Sequence, residues 1–376
     1  MQSRQGTRLK ILFYIHSLNG GGAERVTTSL SSRLADHGHQ VGLITMTSAE
    51  GDFYPLDRRV RRITLDLASS SRGFDRLTAN YRRWKALRCI LKTERPDVVV
   101  AMMTTSIVLA ILAAIGLAVR VYGSERNYPG RDATRRPWRL LRRGVYRFAD
   151  GHVAQTAETA AWLKRYTGAR HVHVIANPVI WPIPSFPPRT DPDDVLSSER
   201  KTVLAVGSKP RQKGFDLLVH AFAALADDFP EWDLVILGVD SGNPDLASIQ
   251  QLASDAGVAQ RLLLPGRVGN IADWYRRADL FVLSSRYEGF PNVLLEAMAC
   301  GCPCVAFDCT TGPRDMIEDG VNGVLVPADS VEELTRAMVR LMADSALRSA
   351  VASRAVSVKE TFSEQRIMQM WQRVLQ

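Results

Sequence analysis

Leu9-Lys10-Ile11-Leu12-Phe13-Tyr14-Ile15, followed after His16-Ser17-Leu18 by Asn19-Gly20-Gly21-Gly22-Ala23-Glu24-Arg25, decides the architecture. The first run is almost wholly apolar and does not alternate, as in a parallel strand covered on both faces. The glycines end it. Apolar spacing then predicts a helix from about Ala23 to His37, and a second strand over Val41–Thr45. Strand, glycine loop, helix and strand open a doubly wound α/β domain. Glycines let backbone approach a ligand, and the helix N-terminus behind them favours an anion such as phosphate. A plain tight turn is the alternative. The spacing is not G-x-G-x-x-G, so the dinucleotide fingerprint is absent.

Outward from this loop, strand and helix patterns alternate to about Ile175. Val98 to Val119 is 22 residues without a charge, long enough for a membrane helix. Its punctuation favours strand (Val98-Val99-Val100), helix (Ile107–Ile115, with Thr104-Thr105-Ser106 as cap candidates) and strand (Val119–Tyr122). Residues 177–194 hold Pro178, Pro182, Pro184, Pro187, Pro188 and Pro192, which neither helix nor central strand accepts. This is the expected linker. Beyond it, strands are expected at Thr202–Val206, Leu234–Leu237, Leu262–Leu264, Leu280–Leu283, Cys304–Phe307 and Val324–Val326. An amphipathic helix is expected over Ser363–Leu375. The whole reads as two Rossmann-like domains facing a cleft, 1–188 and 189–360, with residues 361–376 as a closing helix.

With 46% apolar and 23% charged residues the chain has a real core, which excludes a disordered chain, a collagen-like fibre and a disulfide-stapled mini-protein. Its net charge of +9 conceals a division. Residues 1–190 carry 30 basic and 13 acidic side chains, and residues 191–376 carry 18 and 26, giving +17 and −8. Five cysteines without a pairing pattern suit a reducing compartment. Cys300, Cys302, Cys304 and Cys309 cluster, but their one-residue spacers are tighter than structural zinc sites use, so a packed helix-to-strand turn is expected.

Two later segments carry chemistry. Val206-Gly207-Ser208-Lys209-Pro210-Arg211-Gln212-Lys213-Gly214-Phe215-Asp216 follows a strand and places three cations beside backbone donors, suited to a diphosphate leaving group. A solvated basic loop is the alternative. Ser284-Ser285-Arg286-Tyr287-Glu288-Gly289-Phe290-Pro291-Asn292-Val293-Leu294-Leu295-Glu296-Ala297 sets two glutamates on a strand–loop–helix turn. Asn292 suits an N-cap, Val293–Cys300 a short helix and Gly301 its end. The amides of Phe290, Asn292 and Val293 then face a ligand. Glu288 suits bidentate bonding to sugar hydroxyls, while Glu296 suits either a second diol or the helix dipole.

These motifs, in this order, resemble the retaining glycosyltransferases of family 4, which have the GT-B fold. The resemblance rests on Gly21-Gly22-Ala23-Glu24-Arg25, Gln212-Lys213-Gly214-Phe215-Asp216, the E-x7-E pair Glu288 and Glu296, and Gly312-Pro313-Arg314-Asp315-Met316-Ile317. Asp319-Gly320-Val321-Asn322-Gly323 and the ending from Phe362 to Trp371 extend it over nearly the whole chain. Ser124-Glu125-Arg126-Asn127-Tyr128, Tyr146–Asp150 and Gln155-Thr156 are similar to a bacterial subset that builds lipid-linked oligosaccharides and surface polysaccharides, including Pgl-type N-acetylgalactosamine transferases.

The resemblance implies a nucleotide-diphosphate sugar donor in the second domain and no cofactor or metal. It implies that Glu288, with the amides of Phe290 and Asn292, holds the donor sugar, Glu296 the ribose and Lys213 the diphosphate, with Gly21 and Gly22 closing over it. It also implies that the last helix crosses back onto the first domain. Ser208 stands where the family usually has an arginine, so Lys209 or Arg211 is expected to supply that charge. No histidine falls in the loop where many members carry one. Glu125 and Arg126 are the candidates for acceptor contact or positional work there.

Two carboxylates also suggest a glycoside hydrolase, but hydrolase carboxylates flank the bond, whereas these share one motif. A GT-B sugar-nucleotide epimerase and a non-catalytic sugar-nucleotide or lipid-binding relative are the other rivals. The basic half has its own pattern. On a helix from Arg135, Trp138, Leu141 and Val145 share a face flanked by Arg135, Arg139, Arg142 and Arg143, as at an anionic membrane surface. A lipid-linked acceptor would meet the same charge. No nucleic-acid module is evident. The expectation is a cytoplasmic enzyme, peripheral on the inner face of the membrane.

Overall fold

The computed structural model describes residues 8–68, 75–131 and 134–376. The chain forms two compact units. One runs to Asn177 and takes in Gln365–Gln376; the other is Pro178–Glu364.

The first unit holds β1 (Lys10–Ile15), β2 (Gln40–Thr45), β3 (Arg61–Thr64), β4 (Val98–Met102), β5 (Arg120–Ser124), β6 (Gly151–Ala154) and β7 (Val172–Val174). They form one parallel sheet in the order β3-β2-β1-β4-β5-β6-β7. Ile11 of β1 pairs with Val41 on one side and Val98 on the other. The second unit holds β8 (Lys201–Val206), β9 (Trp232–Leu237), β10 (Leu262–Gly266), β11 (Leu280–Leu283), β12 (Cys304–Asp308) and β13 (Val324–Pro327). Their order, β10-β9-β8-β11-β12-β13, is again all parallel. Two doubly wound α/β sheets are the expected fold class. In each sheet the winding reverses once, beside β1 and beside β8, and ligands bind beyond the carboxyl ends of strands at such points.

The 22-residue apolar run resolves into β4 and a helix over Thr104–Ala114, and β5 starts just beyond it at Arg120 rather than at Val119. Every residue of β4 is buried, which is why the strand shows no polar alternation. Among the described residues no helix is long and apolar enough to cross a membrane. The helix start differs from expectation. Met103, at φ +72°, occupies the N-cap without a side-chain bond. Thr104 is instead the first helical residue, and its hydroxyl donates to the Glu125 carboxylate.

The proline-rich stretch belongs to the second unit, so the division falls at Asn177/Pro178 rather than 188/189. Backbone bonds hold it there: Val179 N–H to the Phe362 carbonyl (2.8 Å), Phe186 N–H to Gly269 (3.0 Å) and Gly269 N–H to Pro188 (2.6 Å). The helix Glu364–Leu375 buries Ile367, Met368, Trp371 and Leu375 against Ile11, Phe13, Val98 and Val100 of the first unit. Arg120 Nη2 donates to the Leu375 carbonyl at 2.7 Å. Cys302, Cys304 and Cys309 are buried around β12. Burial, with the nearby Glu288 charge, pushes the Cys309 thiol up to about 12.

Candidate active site

The site residues of the second unit gather at the reversal between β8 and β11. After β8 the chain passes Gly207, forms the short helix Pro210–Lys213, and turns at Gly214 with φ +63°. A Cβ at Gly214 would lie 2.0 Å from the Ser284 carbonyl oxygen, so only glycine lets the turn close against the loop after β11. The Lys213 side chain folds back over Gly207, where a Cβ would stand 2.6 Å from its Cγ. Its Nζ reaches Glu288 Oε1 at 2.7 Å, and the same oxygen accepts from Ser285 Oγ at 2.7 Å.

Further bonds stitch the two loops together. Ser284 Oγ donates to the Lys213 carbonyl at 2.9 Å. The Arg286 amide donates to the Gln212 carbonyl at 2.9 Å, and its guanidinium forks onto Asp216 at 2.7 and 2.6 Å. Burial alone would raise the Asp216 carboxyl; the Arg286 bond and charge outweigh it and hold it low. Thr311 Oγ1 donates to the Glu288 carbonyl. Lys209 and Arg211 lie exposed on the same turn as Lys213.

The helix carrying the second glutamate spans Asn292–Ala299 with Pro291 as N-cap. Asn292 is therefore the first helical residue and not the expected cap. The Pro291 carbonyl accepts from the Leu294 and Leu295 amides. Gly312, at φ +100°, lets the next loop press on Pro291, since a Cβ there would stand 2.3 Å from Pro291 Cδ. Phe290 is buried edge-on against Phe362. Val293 is half-buried one residue into the helix. Glu296 is buried and accepts from Tyr275 Oη at 3.3 Å. Glu288 and Glu296 thus share one motif but hold different partners.

The first unit carries the remaining candidates. Gly21 is the extended N-cap of the helix Gly22–Asp36. The left-handed backbone falls on Gly20, at φ +110°. Glu125 and Arg126 follow β5 and bond to different partners. Glu125, 2% exposed, accepts from Thr104 Oγ1 (2.9 Å) and from Tyr146 Oη. Arg142 Nη1 lies 3.9 Å from its Oε1. Burial, then the Glu125 charge, raises the Tyr146 phenol well above its ordinary value. Arg142 is 2% exposed, stacks over Trp162 and donates to the Pro129 carbonyl. It therefore does not flank a lipid-facing surface as expected. Val145 is also buried, and Trp138 packs on the core. The outward apolar residues are Leu140, Leu141 and Phe148.

Both units match known families over most of their length. Residues 20–180 match the model described as Glycosyltransferase Family 4, and residues 200–344 match Glycosyl transferases group 1. The chain is a family 4 glycosyltransferase of GT-B fold. This glycosyltransferase is 26% identical over 370 residues to the GalNAc-alpha-(1->4)-GalNAc-alpha-(1->3)-diNAcBac-PP-undecaprenol alpha-1,4-N-acetyl-D-galactosaminyltransferase of Campylobacter jejuni, covering 98% of each chain. Its fold aligns with sucrose-phosphate synthase from Thermosynechococcus elongatus at a TM-score of 0.84, with 19% identity over 98% of both chains. It aligns with Anabaena HepE, solved with UDP and glucose, at 0.79, with 19% identity over 98% and 99%.

Several residues escaped the sequence reading of this glycosyltransferase. Ser285 and Arg286 were legible only as neighbours of Glu288. Tyr275 and Thr311 come from other elements and carry no local signal. Gly20 was hidden in a run of three glycines.

Proposed function

We propose that this glycosyltransferase moves a sugar, with retention of configuration, from a nucleotide-diphosphate sugar to a lipid-linked glycan acceptor in bacterial surface-glycan synthesis. The Lys213–Glu288 pair at the reversal of the second sheet carries the proposal. Breaking the bond to a diphosphate puts negative charge on the leaving phosphate and positive charge on the sugar ring. Lys213, with Lys209 and Arg211 on its turn, meets the first. Glu288, fixed by Ser285, meets the sugar hydroxyls together with the amides of Phe290, Asn292 and Val293. Preorganised charge of this kind lowers a barrier by about 3–4 kcal/mol per well-placed donor. Because the protein's own cations do this, the reading calls for no metal. Glu296, held by Tyr275, takes the ribose.

Attack from the departing face needs no protein nucleophile, consistent with retention. The printed substrate of the Campylobacter relative supports a polyprenyl diphosphate acceptor. The UDP and glucose of the HepE structure support a nucleotide sugar donor. Leu140 and Phe148, each 67% exposed, stand among the exposed Arg135, Arg136, Arg139, Arg143 and Arg147. This face supports peripheral binding to an anionic inner membrane, where such an acceptor resides. A screen of nucleotide sugars for donor consumption, followed by the anomeric configuration of the product, tests the reading.

A further inference from the structure

Arg126 is a buried charge of the first unit. It is 6% exposed, yet no ion pair reaches it among the described residues. Nη2 donates to Asn177 Oδ1 at 2.7 Å and Nη1 to Ser124 Oγ at 3.4 Å, both neutral acceptors. Its Nε is buried without a partner. The adjacent carboxylate does not help, because Glu125 is engaged by Thr104, Tyr146 and Arg142. Burial with no compensating charge brings the guanidinium down to about 9.

A buried charge is costly unless paired, and a buried donor left unmade adds to that cost. A buried Nε outside any hydrogen bond is shared with Arg142, but the Arg142 guanidinium also has a carboxylate, a backbone carbonyl and an aromatic face. Arg126 has only neutral side-chain acceptors and no carboxylate among the described residues. It also stands just beyond the carboxyl end of β5, on the edge of the sheet where parallel α/β domains receive ligands. A guanidinium with its Nε unpaired presents planar donors suited to two oxygens of a phosphoryl group.

We propose that Arg126 is a phosphate-binding residue that supplies the counter-charge missing from the free protein by taking phosphoryl oxygens of a substrate. Resting on the proposed reaction, the phosphate belongs to the diphosphate of the lipid-linked acceptor, since Lys213, Lys209 and Arg211 of the second unit already meet that of the donor. The donor diphosphate has the same chemistry and is the alternative source.

Two titrations on the full chain separate them, one with UDP and one with a polyprenyl diphosphate in detergent micelles. Arg126→Gln removes the charge, and Arg126→Lys keeps it but loses the planar fork. Both are expected to weaken the polyprenyl diphosphate at least tenfold and leave UDP unchanged. Arg126→Gln is also expected to unfold no earlier than wild type, because it removes an uncompensated buried charge. Weakened UDP with an unchanged lipid would assign the same residue to the donor phosphate. If neither ligand moves in the variants, Arg126 is structural and the proposal fails. Should Arg126→Gln not fold, Arg126→Lys alone decides. Lys213→Ala separates the two levels: if it leaves UDP binding intact, the donor assignment fails whatever Arg126 does.

Discussion

Lys213 Nζ lies 2.7 Å from Glu288 Oε1, although the two residues follow different strands of the second sheet. Both side chains are largely buried, so each fixes the other. In water such a pair would contribute little; on the proposed reaction, this enclosed pair is the cation and carboxylate that meet the charge developing in transfer. Lys213→Ala and Glu288→Ala should each lower transfer by at least about a hundredfold. In the double variant the losses should fall well short of adding, as expected for residues acting as a unit. Steady-state transfer rates on all three proteins check this.

Gly207 and Gly214 both border Lys213 but should behave differently when replaced by alanine. At Gly214 the new Cβ meets the Ser284 backbone at 2.0 Å on a φ of +63°, and backbone cannot yield. Gly214→Ala should lower stability by at least about 1–3 kcal/mol, read from urea unfolding. At Gly207 the three atoms nearest the Cβ all belong to the flexible Lys213 side chain. Gly207→Ala should fold normally and lose activity by displacing Lys213. Equal stability losses in the two would contradict the assignment.

Legibility followed burial. Leu280–Leu283 was predicted with its observed ends because a strand covered on both faces leaves an unbroken apolar run. β3, Arg61-Arg62-Ile63-Thr64, was not predicted: it is an edge strand, partly exposed, and its charges hide the period. The E-x7-E loop was legible through its Gly and Pro punctuation. The Glu125–Arg142 pair was not, because Arg142 sits in an arginine-rich run and only the fold turns it inward. Thr104 failed as a cap for the same reason, since its hydroxyl is drawn to Glu125.

Acid should destabilise the first unit through His152. Burial lowers its pKa from 6.5 to about 4, and its Nε2 bonds the Tyr146 carbonyl at 3.0 Å. The unfolded chain therefore binds the proton first. Stability is complete above about pH 6.5 and is lost as pH falls toward 4, by up to about 3 kcal/mol. His152→Gln should flatten that part of the profile, measured as unfolding free energy against pH.

Membrane binding should depend on both charge and apolar surface. The wild type should sediment with anionic vesicles and not with neutral ones, and less so at high salt. Replacing Leu140, Leu141 and Phe148 by Ser should abolish sedimentation without lowering the Tm, because all three are exposed. Arg142→Ala should instead lower the Tm, because it leaves buried Glu125 without its guanidinium.

The most direct measurement is consumption of a panel of nucleotide-diphosphate sugars by wild-type, Lys213→Ala and Glu288→Ala proteins with native circular dichroism. The account predicts that the wild type consumes at least one donor and that both variants fall at least a hundredfold below it. Near-wild-type turnover by both variants, or no donor consumed by the wild type with a lipid-linked acceptor present, would contradict it.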